Sequence, residues 1–418
     1  MLPREDRRRS ITRRTALGAA AATTMLSGLS RHAAAQDTTI RLGVLNDQSG
    51  NYRDDTGPLS VLCVRQAAEE FAKLHPEIKV EVLSADHQNK PDVGAGIARR
   101  WFDEGGVDAI LDVPTSSVAL AVNTVCREKN KVYLNSGAAT TDLTGAQCSP
   151  NTVHWTYDTY MLAKSTGGAM VKSGGDSWFF ITADYVFGQQ LQRDTVRFVQ
   201  EAGGKVLGSR AYPFPDTTDF SSLLLQAQSS GAKVLGLCNS GTDTVNCIKQ
   251  AHEFGLTKFM KIAAMLMYDG NVRSVGLEDS QGLVMTESFY WDLNDRTRMF
   301  WERIRQKSPT QPPNMIQAGC YAATLHYLKT AASLGAAATK ADGRGAVAHM
   351  KSMPTDDDCF GAGRIREDGR KLHPSYLMQV KTPAESTGAL DVLKLVATTP
   401  PDAAFRPMSE GGCSLVKG

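Results

Sequence analysis

Short apolar runs alternate with amphipathic stretches twice along this chain, and few folds satisfy such a pattern. Ile40–Leu45, Ile78–Leu83, Ala109–Val113 and the run at Val132 read as strands, with helices expected over 59–74, 91–104 and 116–129. After Thr152–Asp158 the series restarts. Strands are expected at 177–182, 205–209, 234–238 and 261–264, with helices over 188–202, 220–229 and 242–254. Strands that are apolar at nearly every position are buried on both faces, so a strand–helix alternation of this kind builds parallel sheets covered on both sides. The doubled series predicts an α/β chain of two Rossmann-like lobes, and 418 residues suffice for two cores. Further helices read over 297–307 and 314–336, broken at Ser308-Pro309 and Pro312-Pro313. The polar turn 363–370 and the strand 376–380 are too little to fold alone, so they complete one of the lobes.

The topology invites a dinucleotide, but no G-x-G-x-x-G follows any strand. A hydrolase is the competing class, and its signals are missing as well. There is no G-x-S-x-G elbow, and His252-Glu253 runs into Phe254-Gly255-Leu256 rather than H-E-x-x-H. His87, His154, His326 and His373 are scattered and read as packing or surface residues. Asp54-Asp55 and Asp356-Asp357-Asp358 read as solvated loops rather than an acid/base pair. No Cys/His cluster has metal-site spacing. The expectation is a protein that is not an enzyme, with no cofactor and no metal.

Residues 1–35 read as an export segment. Arg4, Arg7, Arg8, Arg9, Arg13 and Arg14 make a basic start, Ala16–Leu29 is a weakly apolar run, and Ala33-Ala34-Ala35 offers a cleavage site. Thr12-Arg13-Arg14-Thr15-Ala16-Leu17 is a twin-arginine pattern, with the general secretory route as the alternative. This segment holds seven Arg against Glu5 and Asp6, so the chain's formal +2 becomes −3 without it. The basic balance therefore belongs to the leader, and no nucleic-acid partner is indicated. No later stretch approaches a membrane span, and a periplasmic location is expected.

Eight cysteines enter an oxidising compartment on that reading. The sequence does not choose among their pairings. Cys148 and Cys413 both lie in turn-rich segments and are the favoured disulfide partners, while Cys63, Cys126 and Cys320 fall in helical patterns as buried thiols.

The stretch Leu134–Gly145 places small residues, hydroxyls and backbone groups after a buried strand. In open α/β sheets ligands bind at the carboxyl ends of strands. Small side chains let a ligand approach the backbone, and hydroxyls with N–H groups grip a carboxylate without a full positive charge. The plain alternative is a Ser/Thr-rich turn that caps the next helix.

Taken together, Ile40–Leu45 running to Ser49-Gly50, Thr115-Ser116-Ser117, Ser136–Thr144, Ala183–Gly188 and Gly363–Val380 resemble the periplasmic solute-binding proteins of ABC importers. The resemblance is to the type I fold, in the branched-chain amino acid receptor-like group (Leu/Ile/Val-binding proteins), and it covers residues 38–418. It implies two lobes joined by a three-segment hinge: 38–155 with 287–362, and 156–286 with 363–418. It further implies hinge closure on a small ligand, docking on a membrane permease, and a monomer.

Carried over residue by residue, the resemblance makes Thr115, Ser116, Ala138 and Thr140 the carboxylate grip of the first lobe. Tyr185 closes from the second lobe, and Asn239 and Ser240 add contacts. Tyr52 is a candidate for aromatic lining, with Trp155, Tyr290 and Trp291. Amino-acid receptors of this group place an acid near the strand after 261 to hold the ligand's ammonium. Here that stretch is Met265-Leu266-Met267-Tyr268, with no acid before Asp269. Met267 and Tyr268 make an apolar wall, and an unpaired ammonium in a closed cleft is costly. The expected ligand is a carboxylate with an aromatic or apolar body. The alternatives are an amino acid, rescued by Asp47, Asp243 or Asp269, and a ligand-sensing domain on the same fold.

Overall fold

In the computed structural model, described over residues 38–417, two parallel sheets carry the doubled pattern. The leader read over 1–35 lies outside the described residues. The first sheet holds β1 (Ile40–Asn46), β2 (Val80–Asp86), β3 (Ala109–Asp112), β4 (Val132–Asn135) and β5 (Thr152–His154) in the order β2-β1-β3-β4-β5. The second holds β6 (Ser177–Ala183), β7 (Lys205–Tyr212), β8 (Val234–Cys238) and β9 (Lys261–Ala264) in the order β7-β6-β8-β9. Every pairing within both sheets is parallel. In each sheet the strand order reverses beside its first strand, which opens a crevice at the carboxyl ends there.

Apolar side chains fill three large clusters. Leu45, Ile110, Tyr133 and Val122 lie in one that covers a face of the first sheet, and Phe179, Ile181, Leu235 and Ile248 in one on the second. The largest cluster is continuous between the sheets and includes Val44, Leu111, Trp155, Trp178 and Phe180. The helix Met315–Leu334, almost wholly buried, packs along the helix Gly57–Leu74 of the first sheet. Its apolar surface runs all round, as expected of a helix surrounded by protein.

The chain after residue 280 adds β10 (Val284–Glu287), β11 (Arg364–Ile365), β12 (Lys371–Leu372), β13 (Ser375–Val380) and β14 (Leu393–Thr399). Strands β10, β13 and β14 form an antiparallel sheet whose Met285, Met378, Val380 and Leu393 join the core of the second sheet. Two pieces of the segment read with the second lobe also touch first-sheet elements. Arg370 bridges to His154 at the end of β5, and Cys413 is disulfide-bonded to Cys148. The reason is topological, because the chain re-enters the first sheet's neighbourhood before β13 and again after β14. Cys63, Cys126, Cys238, Cys247, Cys320 and Cys359 are free and buried. Among the described residues no helix is long and apolar enough to cross a membrane, and no group of His, Cys, Asp or Glu is placed to hold a metal ion.

Candidate functional site

The carboxyl ends of both parallel sheets open onto one cavity. The loop after β1 contributes Tyr52, Asp55 and Thr56, and the turn after β3 contributes Pro114. Gly137 and Ala139 follow β4, and Tyr157 follows β5. From the second sheet come Tyr185 and Phe187 after β6, Ser240 after β8, and Leu266 and Tyr268 after β9; Ile316 completes the lining. The space free of atoms among these residues, open solvent included, is about 270 Å3.

Local chemistry fixes these loops. The Asp47 carboxylate accepts from the N–H groups of Gly50 (2.6 Å) and Tyr52 (2.9 Å) and from the Asn89 amide (2.7 Å), which folds the β1 loop back on itself. After β3 the chain passes through two consecutive left-handed residues, Asp112 (φ 74°) and Val113 (φ 57°), before Pro114. A β-branched residue rarely adopts that conformation, and such strain persists where the surroundings over-determine it. Here Asn46 bonds the Asp112 carboxylate at 3.1 Å and the Gly57 carbonyl at 2.9 Å. Gly137 and Ala139 spend no backbone N–H on another protein group among the described residues.

Four tyrosines meet in pairs across the cavity. The Tyr52 and Tyr185 hydroxyls are 2.6 Å apart, and those of Tyr157 and Tyr268 are 2.8 Å apart. Tyr157 donates to the Gly137 carbonyl at 2.7 Å, so in the second pair the proton between the hydroxyls belongs to Tyr268. Phe214 stacks on Tyr185 with ring centroids 4.5 Å apart. Burial pushes all four phenols upward from their ordinary range, so they act as neutral hydroxyls.

Asp55 is the acid in this lining. It is buried and accepts from the Asn271 amide at 2.9 Å. Burial raises its pKa to about 8 against the opposing Asn271 bond, and the carboxylates of Asp54, Asp269 and Asp47 push it the same way. Its carboxyl is therefore largely protonated at neutral pH. Expected to be a solvated pair, Asp54 is exposed while Asp55 turns inward. Asp357 is likewise buried, with its carboxylate accepting from the Cys359 and Phe360 N–H groups. Further bonds join elements of the two sheets: Asn51 donates to Asp243 at 2.7 Å, and Thr242 N–H donates to the Asn51 carbonyl at 3.2 Å.

Of the residues expected at the site, Tyr52, Tyr185, Ser240 and Tyr268 line the cavity, and the Ser240 hydroxyl has no protein partner. The others stand beside it. Thr115 gives its hydroxyl to Asn89, and Ser116 is buried behind Pro114 in sequence with its own hydroxyl unpartnered. Ala138 exchanges both backbone groups with the Asn135 side chain, at 2.8 and 3.0 Å. The Thr140 hydroxyl accepts from Asp142 N–H at 3.2 Å and caps a short turn, which is the plain alternative for that residue. Asn239 is engaged by Thr244 and Cys247, and Met267 belongs to the second sheet's core. Trp155, Tyr290 and Trp291 pack in cores rather than in the lining. The residues missed were Asp55, Thr56, Pro114, Gly137, Ala139, Tyr157, Phe187, Leu266 and Ile316. Most lie within two positions of a strand's carboxyl-end loop, the signal that pointed to their neighbours.

Residues 39–389 match the family profile described as periplasmic binding protein. A periplasmic binding protein of Burkholderia mallei is 44% identical, with a TM-score of 0.87 over 91% of this chain and 100% of that one. A branched chain amino acid ABC transporter periplasmic ligand-binding protein of Burkholderia xenovorans LB400 is 36% identical. Its TM-score is 0.78, over 90% of this chain and 99% of that one. The Leu/Ile/Val-binding protein homolog 4 of Brucella abortus (strain 2308) is 23% identical over 57% of this chain, and the match spans 59% of that relative's length.

Proposed function

The chain belongs to the periplasmic binding protein family, and from that premise we propose that it captures a small carboxylate solute for an ABC importer. The family and its structural neighbours are solute-binding proteins, not enzymes. In this reading the solute sits between two lobes, built on the first and second sheets, that close around it on a hinge. Contacts to both sides favour the closed form by their differential affinity, and the closed form docks on the permease.

The observation that carries the ligand class is the tyrosine-walled cavity. Tyr52, Tyr157, Tyr185 and Tyr268 with Phe187 supply ring faces for an aromatic or apolar body. The free N–H groups of Gly137 and Ala139 and the Ser240 hydroxyl supply donors for a carboxylate. A protonated Asp55 adds a further donor and avoids like-charge repulsion.

Asp55 also favours a second reading, an amino acid whose ammonium takes the place of that proton. Isothermal titration against benzoate, 4-hydroxybenzoate, leucine and valine separates the two. Aromatic-acid binding supports the first reading; tight leucine or valine binding with none of the aromatic acids overturns it. Thermal stabilisation by ligand without turnover distinguishes a binder from an enzyme.

A further inference from the structure

The chain does not end at β14. It runs back as a strap that touches elements of both sheets, and the strap lies against the loop that walls the cavity. Lys164 donates to the Ala403 carbonyl at 2.6 Å, Arg364 pairs with Asp402 at 2.6 Å, and Arg197 pairs with Glu410 at 3.2 Å. The end is tied by the Cys148–Cys413 disulfide.

Where the strap crosses the loop, guanidinium side chains bond backbone carbonyls. Arg406 donates to the Thr141 carbonyl at 3.0 Å, and its own carbonyl accepts from Arg366 at 2.9 Å. A Cβ added at Gly145 would lie 2.9 Å from the Gly411 carbonyl and 2.6 Å from the Arg406 guanidinium. Only glycine admits the strap at that spacing. The turn Thr141–Thr144 continues directly into Ala139 and Gly137, which line the cavity.

The strap reaches a second wall through Phe405. The Arg370 guanidinium lies 4.6 Å from the centroid of that ring. Arg370 is fully buried, donates to the Thr156 carbonyl and stands 3.4 Å from the Asp158 carboxylate. Thr156 and Asp158 flank Tyr157, the cavity tyrosine that bonds both Gly137 and Tyr268. One segment therefore backs both the 137–145 loop and the Tyr157 wall.

We propose that Arg406, held in place by the disulfide-tied strap, is a positioning residue that fixes the 137–145 loop for ligand binding. The proposal rests on the reading of that loop as a ligand wall, but its first test needs no ligand. Amide hydrogen exchange is followed by mass spectrometry on the full chain, ligand-free, for the wild type, Arg406→Ala, Arg406→Lys and the Cys148→Ser/Cys413→Ser pair.

Arg406→Ala is expected to speed exchange several-fold across 137–145 and to leave 177–183 in the second sheet unchanged. Arg406→Lys, which keeps one donor for Thr141, restores part of the protection, and the cysteine pair behaves like Arg406→Ala. Unchanged exchange at 137–145, or an increase shared equally with 177–183, overturns the proposal and makes the strap a general staple. Titration with 4-hydroxybenzoate and leucine follows. If either probe binds the wild type, Arg406→Ala weakens it several-fold; wild-type affinity in that variant overturns the positioning role. If neither probe binds the wild type, the ligand reading fails while the exchange result still decides the proposal.

Discussion

The phenolic oxygens of Tyr52 and Tyr185 lie 2.6 Å apart, although one residue follows β1 of the first sheet and the other follows β6 of the second. Their contact joins the two sheets at the mouth of the cavity, with Phe214 stacked against both rings. Replacing either hydroxyl removes this one hydrogen bond and little packing. Tyr185→Phe and Tyr52→Phe should each weaken binding of whichever probe the wild type takes up by about 0.5–1.5 kcal/mol. The double variant should cost no more than either single one, because the bond is lost once. Additive losses in titration would show that each hydroxyl contacts the solute independently.

Gly241 has a positive φ of 64°, and a Cβ there would lie 2.3 Å from the backbone carbonyl of Asn51 on the opposite side. Backbone cannot yield as a flexible side chain does. Gly241→Ala should therefore push the loop after β8 away from Asn51, with a larger radius of gyration by small-angle scattering and an affinity loss of at least about tenfold, ~1.4 kcal/mol. An unchanged radius with unchanged affinity would mean that the contact at Asn51 is not part of binding.

Asp55 gives stability a definite pH slope. Its folded pKa, about 8, lies above its ordinary 3.8, so the folded state holds a proton that the unfolded chain gives up. The contribution is complete below the unfolded value and is lost as pH rises towards 8. Asp55→Asn keeps an acceptor for Asn271 and removes the titration. Between pH 5 and 8 the wild type should lose unfolding free energy more steeply than this variant in urea titrations. Parallel curves would place the slope on other groups.

The Cys148–Cys413 bridge joins residues 265 apart in sequence. Cross-links that close long loops restrict the unfolded chain most, and losing a native one costs about 2–5 kcal/mol. The Cys148→Ser/Cys413→Ser variant should unfold at correspondingly lower denaturant. Added reductant should lower the wild type to the same midpoint and leave the variant where it is.

The apolar runs at Ile40, Ala109, Val132, Phe179 and Val234 were legible as buried strands because their signal is local. Every position but Arg41 and Ser177 is buried, so no choice of face is needed. The cavity residues were not legible to the same precision. Leu266 and Tyr268 line the cavity while Met267 packs in the second sheet's core, so naming Met267 with Tyr268 took in a neighbour outside the lining. The same single step separates Ala138 and Thr140 from Gly137 and Ala139. Side chains alternate sides along extended backbone, and nothing local sets the phase of that alternation in a loop.

By itself the sequence determined two parallel α/β halves, because the burial periodicity of each strand and helix is set by near neighbours. Tertiary structure decided which loop residues face inward, that Asp55 rather than Asp54 is buried, and that the C-terminal segment returns to contact the 137–145 loop. Those outcomes depend on contacts between residues hundreds of positions apart, such as Arg406 with Thr141 and Cys413 with Cys148, whose energies no local pattern encodes.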